Sequence, residues 1–317
     1  MKMDSWPAER PARLFTLRNL REMRVTISEH GAALVSWWAP DRYGRMADVL
    51  LGYAEERDYA RNPACFGAVV NRESRDGAVP RLHAAHWRGE LEAGGAGLRL
   101  RPADAYQVGA GLAEIEVRYQ LGEDGSLSID YQAVAEAPAL INPSTHACFN
   151  LNGGHADVGD HMLQIHADRY LAIEQGGALR DAEVSGTPFD FRRPAAIGPR
   201  LNWPDPQMGA AGGFDHAFCV GSGASTGIAR QVATIHDPGS GRRLQISTTE
   251  GGLHFYSGNR LGGVPGRGHG PYVRHAGFCL EAGAFRDQRD GKRAVGVLLG
   301  PGEVYRHTTV YRVSLQP

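Results

Sequence analysis

The segment Asn142-Pro143-Ser144-Thr145-His146-Ala147-Cys148-Phe149-Asn150-Leu151-Asn152-Gly153-Gly154 places a histidine among β-forming residues and closes on a polar, glycine-rich turn. Histidine alone among the side chains has an unperturbed pKa near neutrality, so a neighbouring carboxylate can hold it protonated and ready to donate. His146 can therefore serve as a catalytic acid. Taken singly, the same pattern also describes a half-buried histidine satisfied by a backbone carbonyl. His83 and His86 raise the question of a metal. Residues three apart point to opposite faces of a strand unless a turn intervenes, and no third ligand is spaced near them.

Other chemistries lack the residues they need. Gly221-Ser222-Gly223 and Gly266-Arg267-Gly268 carry no third glycine and no strand-to-helix context, and no glycine-rich stretch ends in Gly-Lys-Ser/Thr, so dinucleotide and phosphate loops are not supported. Cys65, Cys148, Cys219 and Cys279 are far apart, with no CxxC pair and no zinc-ligand spacing, and are expected to be reduced and mostly buried.

These residues must be held by an all-β framework. Ile115, Val117, Tyr119 and Leu121 alternate with polar residues, Asp124-Gly125 supplies a turn, and Leu127, Ile129 and Tyr131 resume the alternation. Similar runs lie at Met162 to Ile165, at Leu244 to Thr248, at Leu253 to Tyr256 after Gly251-Gly252, and at Val304 to Leu315. Helices are expected only as short pieces near Ala54 to Ala60 and Asp205 to Met208, because no longer stretch has helical apolar spacing. The 42 glycines and 18 prolines punctuate short apolar runs without a period, as in many-stranded antiparallel proteins. With no composition break, linker or repeat, residues 1–317 are expected to form one large, elaborated antiparallel β-sandwich domain.

A net charge of −1 and basic residues spread along the chain leave no electrostatic footprint for nucleic acid or an acidic membrane surface. The expected partner is small and uncharged. Met1 to Pro7 lacks an apolar signal core and no run approaches a membrane span, so a soluble cytoplasmic protein is the expectation. Monomer and homodimer are both compatible with these features.

Five patches, in order, carry a broader pattern: Asn71-Arg72 with Leu82-His83; Thr145-His146-Ala147-Cys148-Phe149-Asn150-Leu151; Gly186-Thr187-Pro188-Phe189-Asp190-Phe191; Gly213-Phe214-Asp215-His216-Ala217-Phe218; and Tyr256-Ser257-Gly258-Asn259 followed by Gly277-Phe278-Cys279-Leu280-Glu281 and Pro301-Gly302-Glu303-Val304-Tyr305. Together they resemble the aldose 1-epimerase (mutarotase) family along most of the chain. The resemblance implies the galactose mutarotase-like supersandwich fold and interconversion of the α and β anomers of a free aldose. It implies Glu281 as base, His146 as acid, and Arg72, His83 and Asp215 as groups that hydrogen-bond the sugar, with neither metal nor organic cofactor required. Glu281 also follows Phe278-Cys279-Leu280 and precedes Ala282-Gly283-Ala284, an apolar setting expected to raise a carboxyl pKa and strengthen it as a base. Its neighbours leave open a strand glutamate facing water. Arg72 as a surface cation, Asp215 as a turn cap and His83 as a solvated loop residue also remain open locally. Trp37, Trp38, Trp87 and Trp203 could stack on a sugar, but aromatics in β proteins are more often core, and none is assigned.

The pattern departs from the family in the lining. Ala282 and Gly283 stand where the family usually carries a polar residue and a glutamine that touches the sugar, Ala84-Ala85 replace a glycine pair, and Cys148 replaces a tyrosine. Two alternatives are a non-catalytic sugar-binding protein, against which the presence of both His146 and Glu281 argues, and a hexose-phosphate mutarotase using Arg75, Arg81 or Arg88. A carbonyl-shifting isomerase would want a different base and often a metal, for which the sequence offers no ligand cluster.

Overall fold

The computed structural model describes residues 12–71, 82–108, 111–174, 176–221, 227–267, 270–287 and 293–316. Alternation decides the architecture. Strands Gly111–Leu121 and Ser126–Ala135 bury Ile115, Val117, Tyr119, Leu127, Ile129 and Tyr131 on one face. Their antiparallel register sets Ile129 against Tyr119 and Tyr131 against Val117. The turn closes with Gly125 at φ +80°, a left-handed conformation that glycine adopts without a Cβ penalty.

This hairpin belongs to a ten-stranded sheet. Its path runs Ala195–Ala196, Met162–Ile165, Arg230–His236, Arg242–Thr248, Val304–Leu315, Ser126–Ala135, Gly111–Leu121, Gly97–Pro102 and Trp87–Leu91, with Tyr106–Val108 pairing on Gly111–Leu121. A seven-stranded sheet has the order Cys279–Gly283, Gly252–Tyr256, Asp215–Cys219, Arg169–Ile173, Leu179–Glu183, Arg293–Val295 and Phe285–Asp287. A four-stranded sheet, Leu14–Arg18 to Met46–Asp48, and two short ladders complete the described strands. Every strand pairing between named strands is antiparallel, and the expected all-β sandwich with few short helices is what the chain forms.

The Leu244 to Thr248 and Leu253 to Tyr256 runs are strands, yet they lie in different sheets, and Gly251 is a crossing point between them. The two sheets meet over a core that includes Phe149, Phe278, Leu280, Phe255 and Tyr311. The Tyr311 hydroxyl donates across it to the Leu280 carbonyl, 2.8 Å away.

The expected short helices are a 3₁₀ turn at Glu56–Ala60 and an α-helix at Pro206–Ala211. The latter starts with Asp205 accepting from the Gln207 amide, has proline in its first turn, and ends at Gly212 in the left-handed region. Two helices escaped the sequence reading: Ile197–Leu201 and the 3₁₀ turn Leu82–Ala84. None of the four cysteines is in a disulfide, but only Cys148 and Cys279 are buried, Cys65 and Cys219 being half-buried. Among the described residues no helix is long and apolar enough to cross a membrane.

Candidate active site

The strand Cys279–Gly283 is buried on both faces. Alternation sends Leu280 into the core between the sheets and leaves Cys279, Glu281 and Gly283 on the other face. Register extends that face sideways: Glu281 lies opposite His254 and Cys279 opposite Tyr256, while on the next strand Asp215 lies opposite Tyr256 and Ala217 opposite His254. Asp215, His254, Tyr256, Cys279 and Glu281 thus share one surface. The alternate residues Phe214, Phe218, Phe255 and Leu280 fill the core, with the Phe214 and Phe255 ring centroids 5.0 Å apart.

His146 reaches this surface from a different segment. Its amide donates to the Ala68 carbonyl and its carbonyl accepts from the Gly67 amide, each at 2.8 Å, which fixes the backbone on both sides of the ring. Thr145, Ala147 and Phe149 point the opposite way, where the Thr145 hydroxyl lies 2.6 Å from the Tyr131 hydroxyl. His146 and Cys148 therefore face the strand that carries Glu281. His146 Nε2 stands 3.8 Å from Glu281 Oε1, and His146 Nδ1 3.7 Å from Cys279 Sγ. A buried carboxylate costs heavily unless paired, and an imidazolium at this range offsets part of that cost. Burial pushes the Cys279 thiol well above its ordinary pKa, with the Cys148 thiol adding to the rise.

Exposure grades across the surface. The Glu281 side chain is 0% exposed, His146 19%, and Asp215 38%. Glu281 is the floor and Asp215 the rim. Asp215 Oδ1 is 2.8 Å from His254 Nε2. Its backbone is set by the Tyr256-Ser257-Gly258-Asn259 motif: the Ser257 hydroxyl accepts from the Phe214 amide at 3.0 Å, and Asn259 Nδ2 donates to the Ala211 and Phe214 carbonyls at 3.0 Å each. Behind Glu281, Asn142 Oδ1 accepts from the Ala284 amide at 2.9 Å, and the Asn142 amide donates to Asn71 Oδ1 at 2.6 Å. A Cβ on Gly283 would stand 3.0 Å from Asn142 Oδ1, so the missing side chain at this position leaves room that Asn142 occupies.

Of the residues singled out in the sequence, the structure brings His146 and Glu281 into direct contact and sets Asp215 on the same sheet face. His83 sits half-buried on the 3₁₀ turn Leu82–Ala84, beside the strand Val69–Asn71. That turn removes the strand geometry on which the argument against a His83/His86 pair rested. Arg72, Arg75 and Arg81 lie outside the described residues, and Arg88 is an exposed position on the strand Trp87–Leu91, alternating with buried Trp87. Trp37 and Trp87 are core, Trp38 lies under the Arg24 guanidinium, and Trp203 is exposed. His254, Tyr256 and Cys279 were missed as site residues. The period-two pattern of Gly252–Tyr256 was the available signal for the first two. A further grouping invisible in linear spacing is His146, Cys279 and Glu281, whose potential ligand atoms all lie within 4.8 Å of one another.

This histidine, carboxylate and rim aspartate share one sheet face of the sandwich. The aldose 1-epimerase family model matches residues 13–74 and 97–312, and the chain belongs to that family. It is 33% identical to the aldose 1-epimerase of Escherichia coli, with 96% of each chain covered, and 32% identical to the galactose mutarotases of Bos taurus and Homo sapiens, with 92–93% of this chain and 92% of theirs covered. Its fold is similar to that of an aldose epimerase homologue from C. elegans, TM-score 0.82 at 19% identity, covering 97% of this chain and 100% of the other. A galactose 1-epimerase from Lactobacillus acidophilus gives a TM-score of 0.77 at 23% identity, covering 98% of each.

Proposed function

We propose that the chain is an aldose 1-epimerase that interconverts the anomers of a free aldose, with Glu281 as base and His146 as acid. The observation that carries this reading is the 3.8 Å approach of His146 Nε2 to Glu281 Oε1 at the floor of the sheet face. The two oxygens that exchange protons, the C1 hydroxyl and the ring oxygen, are bonded to the same carbon. Two groups this close can serve both.

Glu281 takes the C1 hydroxyl proton while the His146 imidazolium gives one to the ring oxygen; the ring C–O bond breaks and C1 becomes an aldehyde. After rotation about C1–C2, neutral His146 takes back the proton from the chain hydroxyl as it attacks, and Glu281 returns its proton to the new C1 oxygen. No net charge or redox change accumulates, and no cofactor is called for. Asp215 at the rim, with Arg72 and His83, would hold the sugar hydroxyls, since carboxylates accept and guanidinium and imidazole groups donate. The same reading takes residues 1–317 as one cytoplasmic domain; the continuous core from Phe15 to Val313 supports the single domain.

Freshly dissolved α anomers across a panel of aldoses and hexose phosphates, followed by polarimetry, test the proposal. The wild type should speed equilibration of at least one free aldose, and Glu281→Gln and His146→Asn should each slow it by about a hundredfold or more. Sugar binding without any acceleration would establish a binding protein instead. Acceleration confined to hexose phosphates would overturn the free-aldose reading.

A further inference from the structure

We propose that Cys148 and Cys279, together with His146 and Glu281, form a site for a soft divalent cation such as Zn²⁺, and that its occupation silences the acid/base pair by ligating both members. The first support is convergence. A ring nitrogen of His146, Cys279 Sγ and a Glu281 oxygen all lie within 4.8 Å of one another. Tetrahedral zinc with ordinary Zn–N, Zn–O and Zn–S lengths places its ligand atoms about 3.3–3.8 Å apart. The 3.7 Å from His146 Nδ1 to Cys279 Sγ and the 3.8 Å from His146 Nε2 to Glu281 Oε1 fall in that range. The ion would take one of the two nitrogens, and a small side-chain rotation would bring the remaining donor in.

The second support concerns Cys148 and comes from the backbone. Phe149 and Phe278 form an antiparallel bridge with both hydrogen bonds made, at 2.7 and 2.9 Å. The next residues outward, Cys148 and Cys279, fall where a non-hydrogen-bonded pair sits, the closer of the two cross-strand spacings, with side chains on one face. The two thiols accordingly face the same side of that bridge. Cys148 thus supplies a fourth donor at the edge of a three-donor cluster.

The donor chemistry selects the ion. Two thiols, an imidazole and a single carboxylate suit Zn²⁺ or Cd²⁺, whereas Mg²⁺ and Ca²⁺ want oxygen throughout. Cys148, Cys279 and Glu281 are each at most 1% exposed, so an ion there meets a dry site, and the partly exposed His146 stands on the approach to it. Binding releases both thiol protons to solvent as the thiolates form. The site itself is independent of the reaction proposed above; that its occupation stops anomer exchange rests on that reading.

The test is a titration of the metal-stripped full chain with Cd²⁺, read by thiolate-to-metal charge-transfer absorption, with Zn²⁺ added in competition and anomer exchange followed in parallel. One equivalent of Cd²⁺ should raise the thiolate band, Zn²⁺ should displace it, and exchange should fall in step with occupancy and return on chelation. Cys148→Ser should weaken binding at least tenfold and cut the band by about half. A folded wild type with no thiolate band, or a Cys148→Ser protein binding at wild-type affinity with the band intact, overturns the site. Binding without loss of exchange overturns the silencing. A protein that gives the thiolate band with Cd²⁺ but never exchanges anomers when metal-free would leave the site standing and remove the reaction instead. Should the variant misfold, X-ray absorption on the zinc-loaded wild type decides: two sulfur ligands at about 2.3 Å support the site, and none overturns it.

Discussion

His254 is the register partner of Glu281 across the antiparallel pair, and its Nε2 lies 2.8 Å from Asp215 Oδ1. One imidazole therefore sits beside the buried carboxylate and tethers the exposed one. Replacing it with alanine should loosen Asp215 while leaving His146 and Glu281 in place. We expect His254→Ala to raise KM about tenfold with a much smaller change in kcat, the worth of roughly one charge-assisted hydrogen bond. His254→Gln, which keeps a donor, should recover part of the loss. Initial rates of anomer exchange over a substrate series measure both; a fall confined to kcat would contradict the tether.

Ser257 is the hinge pin of the rim. Its hydroxyl accepts from the Phe214 amide, a buried bond, and donates to the half-buried Asn259 Oδ1 at 2.6 Å. Ser257→Ala would orphan that amide next to Asp215, at a cost of about 1–3 kcal/mol in urea unfolding. The same substitution should lower kcat/KM through KM. Unchanged stability would mean the latch is not under load.

Gly283 is packed, not spare. Any side chain there presses on Asn142, whose Oδ1 would be 3.0 Å from the new Cβ, and Asn142 in turn holds the Ala284 amide. Gly283→Gln should cost roughly 1–3 kcal/mol as an overpacking change. Combined with Asn142→Ala, the penalty should be less than additive, because the two sites share one space. Thermal unfolding of the single and double variants reads this directly.

Three buried histidines give the fold an acid limit. Burial lowers the pKa of His216 to about 4, with the nearby His254 charge adding to the drop, and that of His307 to about 3. His161 is lowered in the same direction, also by burial. Because the folded values lie below 6.5, the unfolded chain binds protons first as pH falls. Their contribution is complete above pH 6.5 and is lost progressively towards pH 4 and below. Unfolding free energies from urea titrations at pH 7.5, 6 and 5 should therefore decline by an amount on the order of a few kcal/mol in total. A flat profile would show that the rings are hydrated.

Strands with one buried face were legible because burial imposes period two on the residues themselves. Tyr305, His307, Thr309, Tyr311 and Val313 are the buried positions of Val304–Leu315, and their alternation is plain in the chain. The helix Ile197–Leu201 was not, since its five residues contain glycine and proline and no side chain caps its start. Asp215, His146 and Glu281 were reached through family resemblance. The His254 to Asp215 contact and the Cys148/Cys279 pairing were not, because each depends on register between strands far apart in sequence. Composition says nothing about register.

The strand Val304–Leu315 pairs with Arg242–Thr248 on one side and Ser126–Ala135 on the other. It is the only described strand joining those two blocks of the ten-stranded sheet. Both neighbours leave the ribosome before it does. Until it emerges, Tyr311 is not there to brace Leu280, the residue beside Glu281. From the emergence of Arg242–Thr248 until Val304–Leu315 follows, the growing chain therefore carries two half-sheets whose inner edges are open to pairing with another chain.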